Sequence, residues 1–512
     1  MTAKRIPWVA VAVAAGVGVA FVMLALFVRD HAYRMYDDAF IYLRYVKNVR
    51  AGCGLRFNCD DPPVEGFTSP AYLALLVAGS LVTKRLVTLT QVVCTVAIAA
   101  TLVVAIAGAA ARWVGDPEDE TNGGGAHRAW IGAAIVVAVA AVLGLDHYVL
   151  ANAVLGLETP VTSLVVTMAG LAVLTDRRRL ALSLAVVSLL CRPECVLLVL
   201  LLPLLPWARS ARVVALLAGS VLALTLVRWV VFHDFVPNTY WAKAGGTLRH
   251  AELGAAYIGE LLGDHFPFIV LSPLALVVRG ARRAVGYVLA VSAVWIAFFL
   301  RTGGDVFLFS RLAFPLVPLL TVLAARGVAE VAMRAARARP AVAAGALVLV
   351  AGAFSARAAV AHHLPPDHGD PKVIRWTALG EYLRDRYPGK TIATIPIGAI
   401  AYYSRLHVID MLGLTMPAIA KAGRSLPPEL LQRNWIGHER HCLECVLDAE
   451  PDLVVTTQFR AEPWTSVEEA RAGFYAEWLF VRAVKEGRAP YHVVDAPIAP
   501  DLHFLMFQRD GE

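Results

Sequence analysis

DDAFIYLRYVKNVRAGCGLRFN (residues 37–58) decides how this chain of 512 residues is read, because of what stands before it. Residues 7–28 carry no charge, and a bilayer core takes about 20 helical residues to cross. Lys4 and Arg5 precede that run, so the positive-inside rule keeps the N-terminus in the cytoplasm. Asp37 and Asp38 then emerge at the far membrane boundary, where a carboxylate can meet a lipid-borne substrate and a water-soluble one together. The plainer reading of the pair is a solvated helix start, since Asp favours an N-cap or first turn. The apolar run has no convincing small-residue cleavage site and is read as a retained helix.

The rest of the chain extends this pattern. At 58% hydrophobic and 17% charged, with mean hydropathy +0.61, the composition is that of an integral membrane protein. A net charge of +7 would suggest nucleic acid in a soluble protein. Here the basic residues sit in short clusters between apolar segments, as topology signals do, and no nucleic-acid-binding motif is present. The apolar segments are 7–28, 70–83, 86–111, 130–150, 161–175, 180–191, 196–206, 213–232, 266–278, 284–300, 311–326 and 340–354. Basic loops at 177–179, 209–212, 279–283 and 334–339 are expected in the cytoplasm. That leaves 151–160, 192–195, 233–265, 301–310 and everything after about 355 on the outer face. Parity then requires 70–111 to make one net crossing, with one of its two segments interfacial or re-entrant. Segments 180–191 and 196–206 are too short to span, and are expected to form a broken hairpin whose tip lies at membrane depth. Irregular backbone there must be buried in protein or line a cavity.

Residues 365–512 change character, alternating strand-like and helical runs of ordinary globular composition. Strands are expected at 391–395, 452–456 and 503–507, and a helix at 467–485 with Ser466 as its N-cap. The reading is a membrane module over 1–360, with its first outer loop at 29–69, and an extracytoplasmic α/β domain over 361–512. HHLPPDHGDP (residues 362–371) is the boundary. Cys94, Cys191 and Cys195 lie in or beside membrane segments and read as packing residues. Cys53 with Cys59, and Cys442 with Cys445, fall on the outer face, where disulfides form. His438 and His441 keep zinc as the second reading for the latter pair.

Charged side chains at membrane depth cost about 2.5–3.5 kcal/mol each to insert and mark functional sites. Asp37, Asp38, Arg44 and Lys47 belong to the first outer loop, and Glu65 to VEGFTSP (residues 64–70). Glu158 stands in GLETP (residues 156–160), and Arg192 and Glu194 in the RPE between the two short segments. Asn238 and Lys243 belong to PNTYWAK (residues 237–243), and Asp305 and Arg311 to GGDVFLFSRLAFPLVP (residues 303–318). Any one of these is as readily an ion pair or a snorkelling side chain; their shared face favours a site. Nucleotide sugars are absent outside the cytoplasm, so glycosyl transfer there needs a donor carried on lipid. A donor phosphate needs Arg or Lys, a carboxylate can deprotonate the acceptor hydroxyl, and cations stabilise the departing phosphate.

With these motifs in order, the chain resembles the GT-C membrane glycosyltransferases. More narrowly it is similar to the terminal β-(1→2)-arabinofuranosyltransferases of mycobacterial type. The resemblance runs from the first loop through VEGFTSP, GLETP, RPE, PNTYWAK, GGD and FPLVP to IGAIAYYS (residues 397–404) and VIDMLGL (residues 408–414). It implies a polytopic α-helical membrane protein of the bacterial inner membrane. About ten or eleven helices would span, an amphipathic first outer loop would carry the catalytic acid, and a C-terminal periplasmic α/β domain would follow. It implies a polyprenyl-phosphate pentose donor, decaprenyl-phosphoryl-arabinose being the best match, and a cell-envelope glycan acceptor. Asp37 or Asp38 would be the acid/base or nucleophile; Asp37 is taken as catalytic and Asp38 as orienting. By their chemistry, Arg192, Lys243, Arg311 and Arg44 are assigned to the donor phosphate, and Glu65, Glu158, Glu194, Asn238 and Asp305 to sugar or acceptor. No cofactor or metal ligand is assigned, and a divalent ion is left open. A short C-terminal domain and CGLRFNCDD (residues 53–61) depart from the family pattern, which bears on acceptor and sugar. Polyprenyl-phosphate mannose is the alternative donor. A secondary transporter and a non-catalytic assembly subunit are the alternatives to an enzyme; the missing inverted repeat and the intact Asp pair count against them.

Overall fold

The computed structural model describes residues 8–31, 35–110, 125–243, 245–278, 280–307, 310–336 and 371–511. Segment 340–354 and nearly all of the 362–371 boundary lie outside them. The membrane module is helical: α1 (Trp8–His31), α2 (Asp37–Arg50), α3 (Pro70–Ser80), α4 (Leu86–Ala110), α5 (Gly125–Leu145), α6 (His147–Asn152) and α7 (Thr159–Leu174) form its first half. Then come α8 (Arg178–Ser188), α9 (Val196–Leu200), α10 (Ala211–Phe232), α11 (Asn238–Ala242), α12 (Leu248–Leu271), α13 (Arg282–Thr302) and α14 (Val317–Ala336). Among the described residues, five stretches are long and apolar enough to cross a membrane: Val11–Asp30, Leu86–Ala110, Ala211–Phe232, Arg282–Thr302 and Phe314–Val331. A pair bent by 84°, Leu248–His265 with Phe268–Val277, has the length and composition of a broken span or a re-entrant loop, and four shorter apolar helices accompany them.

The two segments of 70–111 differ in length. Ser69 accepts a hydrogen bond from the Tyr72 amide at 3.2 Å and Pro70 opens α3, which ends after 11 residues, whereas α4 runs for 25. A helix of 11 residues is about 16 Å long, half a bilayer core. The broken hairpin is present too, with α8 and α9 meeting at Arg192 and the chain continuing in 3-10 turns at Leu202–Leu204 and Pro206–Arg209. Within 233–265 the chain is helical from Leu248, where Thr247 caps α12, to a bend at His265. Glu252, Glu260 and Asp264 lower the hydropathy of its first half, and tertiary partners take two of these charges: Arg433 pairs with Glu260, and Tyr148 donates to Asp264.

The C-terminal domain is a five-stranded mixed sheet in the order β2-β1-β5-β7-β6. Its strands are β1 (Thr391–Thr394), β2 (His407–Asp410), β5 (Leu453–Arg460), β6 (Tyr491–Ala499) and β7 (Leu502–Arg509); β3 (Arg424–Ser425) pairs with β4 (Arg440–His441) apart from it. β1 pairs in parallel with β2 and β5, while β7 is antiparallel to β5 and β6. The three expected strands are β1, β5 and β7. The expected 467–485 helix begins only at Tyr475. Glu477 holds the preceding turn open by accepting from the Thr457 and Gly473 amides at 2.6 and 3.0 Å. Disulfides join Cys53 to Cys59 and Cys442 to Cys445, so the latter pair does not ligate zinc. Cys94, Cys191 and Cys195 are buried free thiols.

Two cores matter for the site. One fills the bundle around Trp295, Phe299 and Phe314. The other crosses between the halves of the protein, packing Phe40, Leu43 and Tyr45 of α2 with Ile400, Val408 and Phe504 of the C-terminal domain. The first-loop helix is therefore shared by both.

Candidate active site

α2 suits its own dipole, with Asp37 and Asp38 in the first turn and Lys47 and Arg50 in the last. The two acids nevertheless have different fates. Asp37 accepts from the amides of Gly398 and Ala399 at 2.9 and 2.7 Å, closing the start of the helix Ala399–Ser404 in the C-terminal domain. The approach is so close that a Cβ on residue 398 would lie 1.9 Å from the Asp37 carbonyl oxygen, which leaves glycine as the residue that fits. Two turns later Arg44, buried, donates to the carbonyls of Phe57 and Leu406 at 2.8 and 2.7 Å, to that of Ala401, and to Asn58. Lys47 follows with a bond to the Tyr402 carbonyl at 3.1 Å.

Asp38 points elsewhere. Its side chain is 33% exposed and lies 3.6 Å from the Arg311 guanidinium. Arg311 is positioned by Asp305, at 2.7 and 3.5 Å, and lies 3.9 Å over the Phe307 ring, which contacts Tyr36. Burial works against the Arg311 charge, but Asp305 and Asp38 outweigh it and hold its pKa above the ordinary value. Lys243 follows α11, is solvent-accessible, and has no ion pair among the described residues. Desolvation, then Arg311, push its ammonium below the usual range, while Asp38 and Asp305 oppose them. Its methylenes lie over Gly437, where a Cβ would meet them at 3.7 Å. The next residue, His438, donates from Nδ1 to the Ile436 carbonyl at 3.1 Å, fixing its tautomer when neutral. Burial lowers the imidazole pKa; Asp38 opposes this and Lys243 adds to it. Asp38, Arg311, Lys243 and His438 thus share one electrostatic neighbourhood at the junction of bundle and C-terminal domain.

A network of buried pairs adjoins it. Arg192 pairs with Glu158 and, at 3.0 Å, with Glu194. Thr68 donates to Glu158 at 3.2 Å. Glu65 is held by Arg228 at 2.9 and 3.2 Å, and Asn238 donates to the carbonyls of Gly413 and Leu414, both at 2.8 Å. These groups meet one another and so cost far less than isolated buried charges.

The sequence-derived set therefore separates. Asp38, Lys243, Asp305 and Arg311 converge, with Arg192, Glu158 and Glu194 beside them. Arg44, assigned to a donor phosphate, has its donors taken by backbone carbonyls and Asn58. Glu65 is paired with Arg228, Asn238 is bonded to backbone, and Asp37, expected to be the reacting carboxylate, accepts from the Gly398 and Ala399 amides. His438 entered the sequence reading only beside the cysteines; no spacing ties it to Asp38, four hundred positions earlier in the chain.

Comparison with known proteins concerns both halves. Residues 369–495 match a family described as a domain of unknown function (DUF8728). No curated protein matches the chain. The whole length superposes on crystal structures of ArnT from Cupriavidus metallidurans. The form bound to undecaprenyl phosphate gives a TM-score of 0.55 at 14% identity, covering 98% of both chains. The apo form gives 0.54 at 14% identity, covering 98% of this chain and 97% of that one. The fold is GT-C. On this frame the junction offers a partly exposed carboxylate, a guanidinium 3.6 Å from it, and a lysine with no ion pair among the described residues. Such a set can bind a phosphate ester and deprotonate a hydroxyl beside it.

Proposed function

We propose that this GT-C protein transfers a sugar from a polyprenyl-phosphate donor to a cell-envelope glycan, on the outer face of a bacterial inner membrane. The observation that carries the reading is Asp38 beside Arg311 and the unpaired Lys243. Lys243 and Arg311 bind the donor phosphodiester. Asp38 takes the proton of the acceptor hydroxyl as its oxygen bonds to the anomeric carbon. The bond from that carbon to the phosphate oxygen breaks, its electron pair leaves on the lipid phosphate, and the two cations neutralise the charge that develops. Asp305 keeps Arg311 in place, and the Arg192–Glu158–Glu194 group lines the sugar side. Undecaprenyl phosphate in the ArnT structure supports the lipid class. Arabinofuranose is the sugar in this reading, from the sequence resemblance, with mannose as the alternative.

The test is transfer of radiolabelled decaprenyl-phosphoryl-arabinose to a short arabinan by purified protein in nanodiscs, with Asp38→Asn and Asp37→Asn in parallel. Transfer by the wild type and loss in Asp38→Asn is the expected result. Full activity in Asp38→Asn sinks the mechanism. Transfer only from another lipid-linked sugar keeps the chemistry and replaces arabinose.

A further inference from the structure

A second feature lies far from Asp38 and plays no part in that chemistry. A cavity of about 660 Å³ opens where α7 ends and α13 begins. α7 starts beside Glu158 and reaches the cavity 16 residues later; α13 leaves it at Arg282 and arrives 21 residues later next to Asp305. At about 1.5 Å per residue the two sites are roughly 24–32 Å apart, at opposite membrane boundaries. Three 3-10 segments, Leu202–Leu204, Pro206–Arg209 and Ser272–Val277, replace regular helix around the opening, and irregular backbone of this kind belongs where a cavity is lined.

The lining has two characters. Leu205, Val278 and Leu323 make apolar walls, with the half-buried Trp207 among them, an aromatic suited to a membrane boundary. Among the described lining residues, Arg178, Arg283 and Arg326 supply guanidiniums and Asp176 a carboxylate. Asp176 is already engaged by Arg178 at 2.9 and 3.1 Å. Arg326 is buried and donates to the Gly108 carbonyl. Arg283 is exposed and has no ion pair among the described residues. Among the described lining residues the cavity therefore combines the unpaired guanidinium of Arg283 with apolar walls, and its volume suits a small headgroup.

We infer that this cavity binds the phosphate headgroup of an acidic phospholipid, at a site separate from the junction where Asp38 lies. Guanidinium forks match phosphate oxygens, and apolar walls with a boundary tryptophan match the glycerol and first acyl carbons. A soluble phosphate would use the arginines and leave the walls idle, which favours the lipid. The site depends on the membrane fold and is independent of the sugar chemistry.

Titration of full-length protein in detergent with phosphatidylglycerol, phosphatidylcholine and inorganic phosphate, read by thermal unfolding and by native mass spectrometry of bound lipid, tests this. The wild type is expected to bind phosphatidylglycerol in preference to phosphatidylcholine. Arg283→Gln should weaken that binding about fivefold, the equivalent of the ~1 kcal/mol that one basic residue near an anionic lipid is worth. Arg283→Glu should abolish the preference, and Arg384→Gln in the C-terminal domain should leave it intact. Arg283 has no ion pair among the described residues, and each variant's melting point in phosphatidylcholine checks its folding. Equal binding of the two lipids by the wild type, or a preference that survives Arg283→Glu, overturns the inference. Inorganic phosphate that reproduces the whole effect also overturns it, in favour of a free-anion site.

Discussion

Asp38 stands 3.6 Å from Arg311, joining the start of α2 to the segment between α13 and α14, while Asp37 beside it is bonded into the C-terminal domain. One carboxylate is fixed and its neighbour stays partly exposed. Asp38→Asn should therefore lower transfer by about 10²–10⁴, the usual contribution of a general base, with little change in melting temperature. Asp37→Asn should do the reverse, costing about 1 kcal/mol of stability as a weakened helix cap and reducing activity much less. Initial rates and thermal unfolding of the two variants, measured side by side, check both halves.

Gly398→Ala tests the same contact from the other side. A methyl group there collides with the Asp37 backbone, so one segment must shift. Overpacking of this kind costs about 1–3 kcal/mol, to be read as a lower melting temperature. Because α2 carries Asp38 as well, activity should fall together with stability.

Lys243→Gln should raise the donor KM by roughly 10–100-fold, the range expected for a hydrogen bond to a charged group, and Lys243→Arg should recover part of it. Steady-state kinetics against donor concentration measure this. An unchanged KM would remove Lys243 from the phosphate site.

The pH dependence of stability has a defined sign. Burial first, with lesser contributions from neighbouring charges, holds His438 and His441 below the ordinary imidazole range. The unfolded chain then binds protons that the folded chain rejects, so stability rises with pH below the unfolded value of about 6.5. The contribution is complete above that value and lost as pH falls toward the folded one. Unfolding midpoints across this window should show the slope, and His438→Gln should flatten it.

The spans α1, α4, α10 and α13 were legible because each is an apolar run with one kind of environment along its length. The first half of α12 was not, since Glu260 finds its partner in Arg433, 173 positions later. The same limit governs the site. Residue types and their common face could be read from the motifs, because burying Arg192, Glu158 or Asp305 at membrane depth needs a reason. Which acid is tied and which is available could not: Asp37 and Asp38 are identical in type and adjacent, and a helix turns about 100° between them. Partners 361 and 362 positions away settle the matter for Asp37.

The sharing of α2 between the two halves has a consequence for how the molecule is made. Arg44 bonds to the carbonyl of Ala401, 357 residues further along the chain. At about 5–20 residues per second, synthesis takes roughly 20–70 s to supply that partner. For this interval the helix that bears Asp38 lacks the surface it packs on. On the proposed function, a chain cut short before its last domain is inactive even when every transmembrane helix has inserted.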